Sequence, residues 1–570
     1  MIRRLPLLII LLTSLPLVFP FFHSGFLAVG DGTAHLFRQI NYDQALRDGQ
    51  IPPRWAVNAA HGLGAPIFLY NWFLPYLLIE FLILPGMALI PAVRIFNIFC
   101  LLAAPLGMYF WAKKYTSAWP AVVAAILFAW APYRLMSTYL YGAWGEMLAF
   151  VIVPFLGLSL LSLSRKPTTK NFLSATLLTA ALVTAHNLSA LIYLPLLFLL
   201  VFLPQPTIKV ARRIALAYLT AAGLTAFFWL PAIARNNLIQ YDFLSLYRAN
   251  INEYGHFPTL LDDLTHLWYQ FSSPQAKVWY KDFTLGLPLT VAAAISLFVL
   301  ISKKFAHKNV LLLTTFLGLL CYFLTLRESI PLWEMTPLKV ITYSYRLFAP
   351  ASVFLSLSAA LALAPFWPKA SRFLKVSFLT LITLAALVAG HLYLTPATGY
   401  LNTDSEYFSH GEQSLHPFDT GFISGTMEFL PKTASADFVA GLDKTTIGPL
   451  PKIVPQESHQ ITISNVVSHV GSLSFNYQAT SPQTVLINTL NFPNWHLYID
   501  NQPLATTPDQ AGRILLNLPS SSSKTTVLLR WQNDSLENIA NVISLLTLLI
   551  IIISLTSLKK LTRVKSFRPL

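Results

Sequence analysis

The stretch MIRRLPLLIILLTSLPLVFPFF, residues 1–22, begins with two arginines and continues as an almost unbroken apolar run. It has the pattern of a signal peptide, but no cleavage site of small residues follows it cleanly, so we predict an uncleaved first membrane span. Of the 570 residues, 55% are hydrophobic and 11% are charged, and the mean hydropathy is +0.57. Soluble domains do not have this balance, which indicates a chain that lies largely in a bilayer.

Twelve apolar runs are long enough to cross a bilayer as helices of about 20 residues. They lie at about 5–28, 94–112, 118–135, 147–163, 172–187, 188–203, 214–234, 284–301, 310–326, 347–366, 376–395 and 537–557. A further run, 66–90, is rich in aromatic residues and contains Pro75, Glu80, Pro85 and Gly86. Whether this run crosses the membrane decides the topology of the chain after it.

The distribution of basic residues predicts that topology. Seven stretches hold 21 of the 39 Lys and Arg residues and no Asp or Glu: residues 1–4, 113–114, 164–171, 205–213, 302–309, 367–375 and 558–570. Loops with an excess of Lys and Arg face the cytoplasm. All seven stretches lie on that side if the twelve runs cross and 66–90 is interfacial or re-entrant. The net charge of +15 is therefore a topology signal, and we predict no nucleic-acid partner.

This topology leaves 29–93, 134–146, 235–283, 327–346 and 396–536 outside the cytoplasm. Residues after 455 alternate apolar and polar side chains like strands, as in SLSFNYQA and TTVLLRW, and IDNQP predicts a hairpin turn. We therefore predict a polytopic α-helical membrane protein of about twelve transmembrane helices. An extracytoplasmic β-sandwich-like domain precedes the last helix.

The predicted domain boundaries follow from these patterns. They give a transmembrane domain at 1–395 with a large first outer loop at 29–93, an irregular connector or lid at 396–455, a β domain at 456–535, and the last helix with a basic cytoplasmic tail at 536–570. Cys100 and Cys321 both lie inside apolar runs, so the sequence predicts no disulfide framework.

Polar residues gather where the predicted spans meet the outer face. The stretch VGDGTAHLFRQ, residues 29–39, follows the first span and spaces an acid, a histidine and an arginine along one helix face. PPRW adds an arginine beside a tryptophan later in the same loop. Other outer loops add two arginines that follow tyrosines, a second acid, and the pair in TAHN. The candidate site residues are Asp31, His35, Arg38, Arg54, Arg134, Glu146, His186, Asn187 and Arg346.

Each residue also has a structural interpretation. Asp31 is a common type of helix N-cap, and Glu146 stands where a helix N-terminus favours an acid. His35 is compatible with an ordinary interfacial position, and any one of the arginines with a headgroup anchor. His186 lies between two apolar runs and requires a polar partner. The aromatic residues at 66–76 are typical of an interfacial belt.

The combination favours chemistry on a lipid-linked sugar. A glycosyl donor on a lipid phosphate presents its reacting carbon just above the bilayer. Its transfer requires a carboxylate that takes the acceptor proton and cations that stabilise the departing phosphate. We predict Asp31 as the base, His35 as the group that orients it or the lipid phosphate, and Glu146 as an assisting acid. Arginines and the His186–Asn187 pair are the predicted substrate contacts.

The chain resembles the GT-C superfamily of polytopic transferases, which use polyprenyl-phosphate sugars. The acid after the first span, PPRW, the pattern G.GAPIF.YNW.LPY and the second outer acid carry this resemblance. Within it, D.TAH, the YR…Y…G…GE pattern and AHN are most similar to bacterial membrane proteins named "6-pyruvoyl-tetrahydropterin synthase-related", over roughly residues 1–400. NFPNWHLYIDNQP resembles the terminal module of membrane proteins of the YfhO type.

The resemblance implies an inverting-type glycosyltransferase on the outer face of a bacterial plasma (inner) membrane. Its implied partners are membrane lipid, a polyprenyl-phosphate sugar donor, and a glycan, lipid or protein acceptor. By the resemblance, Asp31 matches the superfamily's first-loop acid and Glu146 its second-loop acid. The first-loop motif is often a doubled acid, and here Gly32 follows Asp31, so a divalent metal is an open alternative and no certain cofactor follows.

Two other functions stay open at the level of sequence. One is a non-catalytic scaffold or partner in the assembly of envelope polysaccharide. The other is a lipid or solute transporter, for which ionisable residues at mid-membrane depth are expected, and the predicted spans contain almost none. The pterin name implies no chemistry here, because a soluble pterin synthase uses three zinc-binding histidines and the sequence has no such cluster.

Overall fold

A computed structural model describes residues 4–23, 25–27, 29–252, 257–261, 284–301, 305–394, 400–401, 428–445, 450–456 and 459–565. The chain divides into two compact units. The first comprises Met1–Gly32, Leu77–Ala222 and Asp242–Asn402, and the second comprises Thr33–Tyr76, Gly223–Tyr241 and Thr403–Leu570. The predicted connector at 396–455 and the end of the tail lie partly outside the described residues. The predicted domain boundaries stay a prediction.

Helices form most of the chain outside its C-terminal third. The α-helices are α1 Leu5–Ser14, α2 Gly32–Arg47, α3 Ile67–Tyr70, α4 Leu74–Ile83, α5 Leu89–Ala112, α6 Ala118–Ala129, α7 Pro132–Tyr139, α8 Trp144–Arg165, α9 Thr169–Ala185, α10 Asn187–Phe202, α11 Ile208–Leu224, α12 Ala226–Ala234, α13 Phe243–Asn252, α14 Leu287–Ile301, α15 Lys308–Phe323, α16 Ile330–Met335, α17 Phe348–Leu363, α18 Arg372–Gly390, α19 Ala436–Thr445 and α20 Ser535–Lys565. Helical turns of 3-10 type extend several of them, notably Leu15–Phe22 after α1 and Ser344–Leu347 before α17.

The predicted apolar runs coincide with these helices. Six helical segments in the described residues are long and apolar enough to cross a membrane, and the number rises to nine if each bent pair of helices is one span. The other three predicted runs correspond to the shorter apolar helices α9, α10 and α14. The prediction of a polytopic helical membrane protein is confirmed, and the count of twelve spans stays a prediction.

The run at 66–90 does not form one long helix. It contains α3, a break, and α4, which has 10 residues. A helix of that length extends about 15 Å, half of the ~30 Å hydrocarbon core. Its predicted interfacial or re-entrant position agrees with this length.

Small residues allow the helices of the first unit to pack closely. A Cβ at Gly157 on α8 would lie 2.4 Å from the ring of Trp111 on α5, and a Cβ at Gly318 would lie 2.7 Å from Leu355. Ser358 of α17 hydrogen-bonds to Ser296 of α14 and also to α15, both at 2.7 Å. Close approach and hydroxyl bridges are the means by which apolar helices associate in lipid, where hydrophobic burial gives no driving force.

The C-terminal third contains two antiparallel sheets, which confirms the predicted β-sandwich-like domain. The strands are β1 Phe26–Leu27, β2 Tyr400–Leu401, β3 Ile453–Pro455, β4 Ile461–His469, β5 Ser472–Ala479, β6 Gln483–Leu490, β7 Trp495–Ile499, β8 Gln502–Leu504, β9 Thr507–Pro508, β10 Arg513–Leu518 and β11 Ser521–Trp531. One sheet has the order β3-β6-β10-β9 and the other β4-β5-β11-β7-β8, while β1 pairs with β2 in the first unit.

The hairpin predicted from IDNQP joins β7 to β8. Ile499 pairs with Gln502, and the two residues between them, Asp500 and Asn501, have φ angles of 43° and 66°. Two successive positive φ angles define a type I′ turn, which fits the right-handed twist of the strands and tolerates Asp and Asn. Burial alternates along β5, as a sheet with one face on a core requires.

The second unit joins the first outer loop to the β sandwich and the last span. Trp55 of PPRW is 1% exposed, and its ring centroid lies 5.5 Å from that of Trp495 and 5.2 Å from that of Trp531. Farther along, Ser544 on α20 accepts a hydrogen bond from the backbone N–H of Phe227 at 2.9 Å. The aromatic cluster and the α12–α20 contact together hold the last span to this unit.

Candidate active site

The turn that carries Asp31 packs tightly on the loop before α8 within the first unit. The Gly30 N–H donates to the Leu140 carbonyl at 3.0 Å. Gly142 in this loop has a φ of +62°, and a Cβ there would lie 2.6 Å from Val29 Cγ2. Only glycine fits both the backbone angle and the gap. The YGAWGE pattern therefore has a structural purpose: it lets the two loops approach and leaves the Asp31 side chain exposed.

Glu146 lies in the first turn of α8, close enough to Asp31 for an electrostatic interaction. Its Oε2 accepts hydrogen bonds from Tyr133 Oη at 2.9 Å and Ser137 Oγ at 3.0 Å. Its Oε1 lies 3.9 Å from Nε of Arg346. The structure thus brings the two predicted acids together with one of the predicted arginines.

Arg346 lies just before α17, and its guanidinium is held from three sides. Nη1 donates to the Ile341 carbonyl at 2.9 Å and to Thr342 Oγ1 at 2.8 Å, and the carbon of the guanidinium lies 4.7 Å from the ring centroid of Tyr343. Thr342 has a φ of +64°, a strained value for a β-branched residue. Strain of this kind concentrates at functional sites. The side chain of Arg346 retains 19% of its exposure.

Tyrosines surround the Glu146–Arg346 pair, and sequence analysis did not single out most of them. Tyr345 stacks on Tyr141 with ring centroids 6.1 Å apart, and its centroid lies 6.4 Å from that of Tyr133. Two of these tyrosines directly precede arginines, in PYR and SYR. The repeated Tyr–Arg dipeptide is the sequence signal that could have identified these tyrosines.

His186 also lies near Arg346, whereas the described contacts of Asn187 do not include Glu146 or Arg346. The His186 Nδ1 accepts a hydrogen bond from the Ser189 N–H at 3.1 Å, so a neutral ring carries its proton on Nε2. Arg346 lies within electrostatic range of the ring. The Asn187 side chain is exposed, and its Oδ1 accepts from the Leu188 N–H at 2.9 Å.

Arg134 is buried, and its contacts are structural. It is 2% exposed, and its two terminal nitrogens donate to the backbone carbonyls of Ala129, Cys100 and Leu101 at 2.7 to 3.1 Å. These bonds tie the bend between α6 and α7 to α5. The predicted substrate contact of Arg134 stays a prediction, and its geometry favours the structural interpretation.

His35 and Arg38 lie on α2 in the second unit and are buried. The His35 Nδ1 is 2.9 Å from Tyr76 Oη, and its ring centroid lies 5.0 Å from that of Trp72. The guanidinium carbon of Arg38 lies 5.5 Å from the ring centroid of Phe429. The aromatic residues predicted as an interfacial belt therefore include direct partners of His35. The predicted roles of His35 and Arg38 toward a substrate are untested.

Arg54, also in the second unit, is enclosed by protein groups. Its Nη2 donates to the Phe227 carbonyl at 2.8 Å, and its Nε lies 3.5 Å from Oε1 of Glu537. Burial lowers the pKa of Arg54 to about 10, although Glu537 opposes this shift, so the side chain is cationic at neutral pH. These contacts favour a structural role and leave the predicted substrate contact as a prediction.

Metal-ligating side chains are dispersed in the part of the chain that the structure describes. There, no three or more His, Cys, Asp or Glu residues lie close enough to hold an ion together.

Solved structures similar to this chain include an arabinofuranosyltransferase and an oligosaccharyltransferase. The arabinofuranosyltransferase AftD from Mycobacteria matches with a TM-score of 0.50 and 15% identity, over 73% of this chain and 29% of that one. The oligosaccharyltransferase from Archaeoglobus fulgidus matches with a TM-score of 0.47 and 14% identity, over 75% of this chain and 60% of that one. At these identities, the AftD match supports a shared fold of the GT-C type. This chain spans less than two thirds of either protein.

No curated protein sequence matches the chain. A family model described as "6-pyruvoyl-tetrahydropterin synthase related domain; membrane protein" matches residues 70–394, which is more than half of the 570 residues. The chain therefore belongs to the 6-pyruvoyl-tetrahydropterin synthase related family of membrane proteins, as the motifs predicted.

Proposed function

We propose that this chain is an inverting-type glycosyltransferase of the bacterial plasma membrane, which uses a polyprenyl-phosphate sugar on the outer face. The observation that carries the proposal is the grouping of Asp31, Glu146 and Arg346 in the first unit. Glu146 and Arg346 lie at the beginnings of apolar segments, and Asp31 follows the first one. An exposed acid and a partly exposed cation thus lie where hydrocarbon-length segments end, which is the depth of a lipid phosphate.

The reaction needs two charged groups with opposite tasks. The Asp31 carboxylate takes the proton from the acceptor hydroxyl as the oxygen of that hydroxyl bonds to the anomeric carbon. The bond from this carbon to the phosphate oxygen breaks, and polyprenyl phosphate leaves with the bonding electrons. Arg346 binds the phosphate and stabilises the charge that develops on it.

Glu146 acts as a positioning residue in this scheme. Its two hydroxyl partners fix the carboxylate, and the carboxylate faces Nε of Arg346. Ile341 and Thr342 hold the other side of the guanidinium. An arginine held in this way loses little conformational entropy when it binds a phosphate. His186, with its ring proton on Nε2, is a second donor near the same cation. Arg54 and Arg134 are not part of the scheme because both are buried and donate to backbone carbonyls.

A panel of polyprenyl-phosphate monosaccharides tests this function. The full-length protein is purified in nanodiscs and incubated with each donor and an extract of envelope acceptors, and released polyprenyl phosphate is quantified by mass spectrometry. We expect release from at least one donor, and we expect Arg346→Gln to raise the donor concentration needed for half-maximal release. Absence of release from every donor in the panel contradicts the proposal and favours the non-catalytic scaffold.

A further inference from the structure

A polar cavity lies in the first unit, where α8 and α10 end and α15 begins. Its volume is about 310 Å³. Arg165, Gln205, His307 and Lys308 contribute polar groups to the lining. The predicted topology assigns these helix ends to the cytoplasmic face, opposite the candidate active site. The proposed function does not use this cavity.

Aromatic packing holds the basic groups at the cavity. The ring of Tyr115 is buried, the guanidinium carbon of Arg165 lies 5.5 Å from its centroid, and the ring of His307 lies 5.5 Å from it in an edge-on arrangement. Arg213 donates a hydrogen bond to the carbonyl of Ser164, next to Arg165, at 2.7 Å. Partial burial, and then the charge of Arg165, lower the pKa of His307. The lowered pKa favours the neutral form of His307, so the positive charge at the cavity comes from Arg165 and Lys308.

The segments that form the cavity supply no neutralising acid. Residues 81–145, 147–241 and 284–327 contain no Asp or Glu. Among the described residues, no carboxylate lies within 4.0 Å of the Arg165 guanidinium. The cavity also lies at the beginning of α15, where the helix dipole favours an anion. An anion that matches this charge must come from outside the segments that form the cavity.

The remaining walls indicate that this anion carries hydrocarbon. Leu161, Leu200, Val201 and Val310 line the cavity beside the basic groups, and they belong to apolar helices or their ends. An amphiphile with a phosphate beside apolar chains fits such a cavity, because the basic groups can contact the phosphate and the apolar side chains can contact the hydrocarbon. Basic pockets between helix ends on the cytoplasmic side have the right chemistry for anionic lipid headgroups.

We propose that this cavity binds the phosphate headgroup of an anionic phospholipid from the inner leaflet. The lipid phosphate contacts Arg165 and Lys308, and its glycerol and upper acyl carbons lie against Leu161, Leu200 and Val201.

Native mass spectrometry of the full-length protein in detergent tests the proposal with phosphatidylglycerol as the probe. Arg165→Gln and Lys308→Gln each remove one charge from the cavity, and we expect each to weaken binding about fivefold. Lys308→Gln leaves the Arg165–Tyr115 contact in place and so separates lost binding from lost packing. Arg372→Gln is the matched control, because it removes an exposed charge at the start of α18, outside the cavity, and we expect a change below about twofold.

Three results overturn the proposal. The first is an equal loss in Arg372→Gln and the two cavity variants, which means that charge acts diffusely. The second is equal retention of phosphatidylcholine, which carries no net charge. The third is that millimolar inorganic phosphate displaces phosphatidylglycerol and raises the thermal unfolding midpoint of the protein as much as phosphatidylglycerol does. This result identifies a site for a free anion.

Discussion

Each unit of this protein contains a buried carboxylate beside arginine, and the two carboxylates have different surroundings. Glu537 in the second unit is fully buried, and its oxygens lie 3.5 Å from nitrogens of both Arg54 and Arg235. Asn494 donates to it, and Arg235 also pairs with Asp534. Two acids therefore balance two cations in this network, in which Glu537, Arg54 and Arg235 are buried and the Asp534 side chain is 37% exposed.

Glu146 in the first unit has a looser environment. One arginine lies 3.9 Å away and retains 19% exposure, two hydroxyls donate to the carboxylate, and exposed Asp31 lies within electrostatic range. A charge-balanced network around a fully buried carboxylate stabilises a fold, whereas a partly exposed cation beside a second acid can act on a ligand. The comparison predicts that changes near Glu537 affect stability and that changes near Glu146 affect activity.

Glu537→Gln should give the largest loss of stability. It removes the shared partner of two buried arginines, and breaking a buried pair costs about 3–5 kcal/mol. The measurement is the midpoint of thermal unfolding in detergent. Glu334→Gln is the control, because it breaks an exposed pair with Lys339 that contributes about 0–1 kcal/mol. Equal midpoints for the two variants contradict the structural role of Glu537.

Gly142→Ala should have an intermediate effect on stability and a clear effect on activity. The new Cβ meets Val29 Cγ2 at 2.6 Å in a backbone with φ of +62°, so strain and overpacking together cost about 1–3 kcal/mol and displace the Asp31 turn. Gly49→Ala separates backbone strain from overpacking. Gly49 has a φ of +81° but open space around it, so this variant introduces the strain without a steric clash. We expect Gly49→Ala to retain full donor turnover; if both variants lose turnover equally, the close approach of the loops is not functional.

Glu146→Gln should change stability by only about 1 kcal/mol, since the amide oxygen still accepts from Tyr133 and Ser137. It removes the charge that faces Arg346, and we expect the guanidinium of Arg346 to lose its position as a result. Turnover of the donor should then fall about ten- to a hundredfold. Kinetics of polyprenyl phosphate release, at matched amounts of folded protein, measure the effect. A variant with wild-type kinetics removes Glu146 from the scheme.

The fold was predictable because its signals are periodic and cumulative. The lengths of the apolar runs predicted the helices, and the alternation of apolar and polar residues predicted the strands. The basic stretches without acids predict the orientation of the helices in the membrane. The turn at Asp500 and Asn501 follows from two residue types that tolerate positive φ. The interfacial or re-entrant position of 66–90 was predicted from the distribution of basic residues, whereas the break between α3 and α4, at residues 71–73, contains no Pro or Gly and was not predicted.

The site was only partly predictable, because one residue type serves two purposes at a membrane boundary. Arg134 and Arg346 both follow a tyrosine at the outer face, yet Arg134 donates to carbonyls of α5, more than thirty residues away in sequence, and Arg346 faces Glu146. Tyr345 is indistinguishable in sequence from an interfacial anchor. Only the three-dimensional packing shows which arginine is held open.

Asp31→Asn tests the central claim most directly, with the smallest expected effect on stability. Asn caps a helix about as well as Asp, so the midpoint of unfolding should shift by the equivalent of about 0.5 kcal/mol or less. Asp43→Asn is the control, because Asp43 pairs with Arg47 on the surface of α2 in the same loop. We predict that Asp31→Asn lowers the release of polyprenyl phosphate by on the order of a hundredfold or more while Asp43→Asn releases it at the wild-type rate. Wild-type release by Asp31→Asn, at matched membrane levels, would contradict the assignment of Asp31 as the catalytic base.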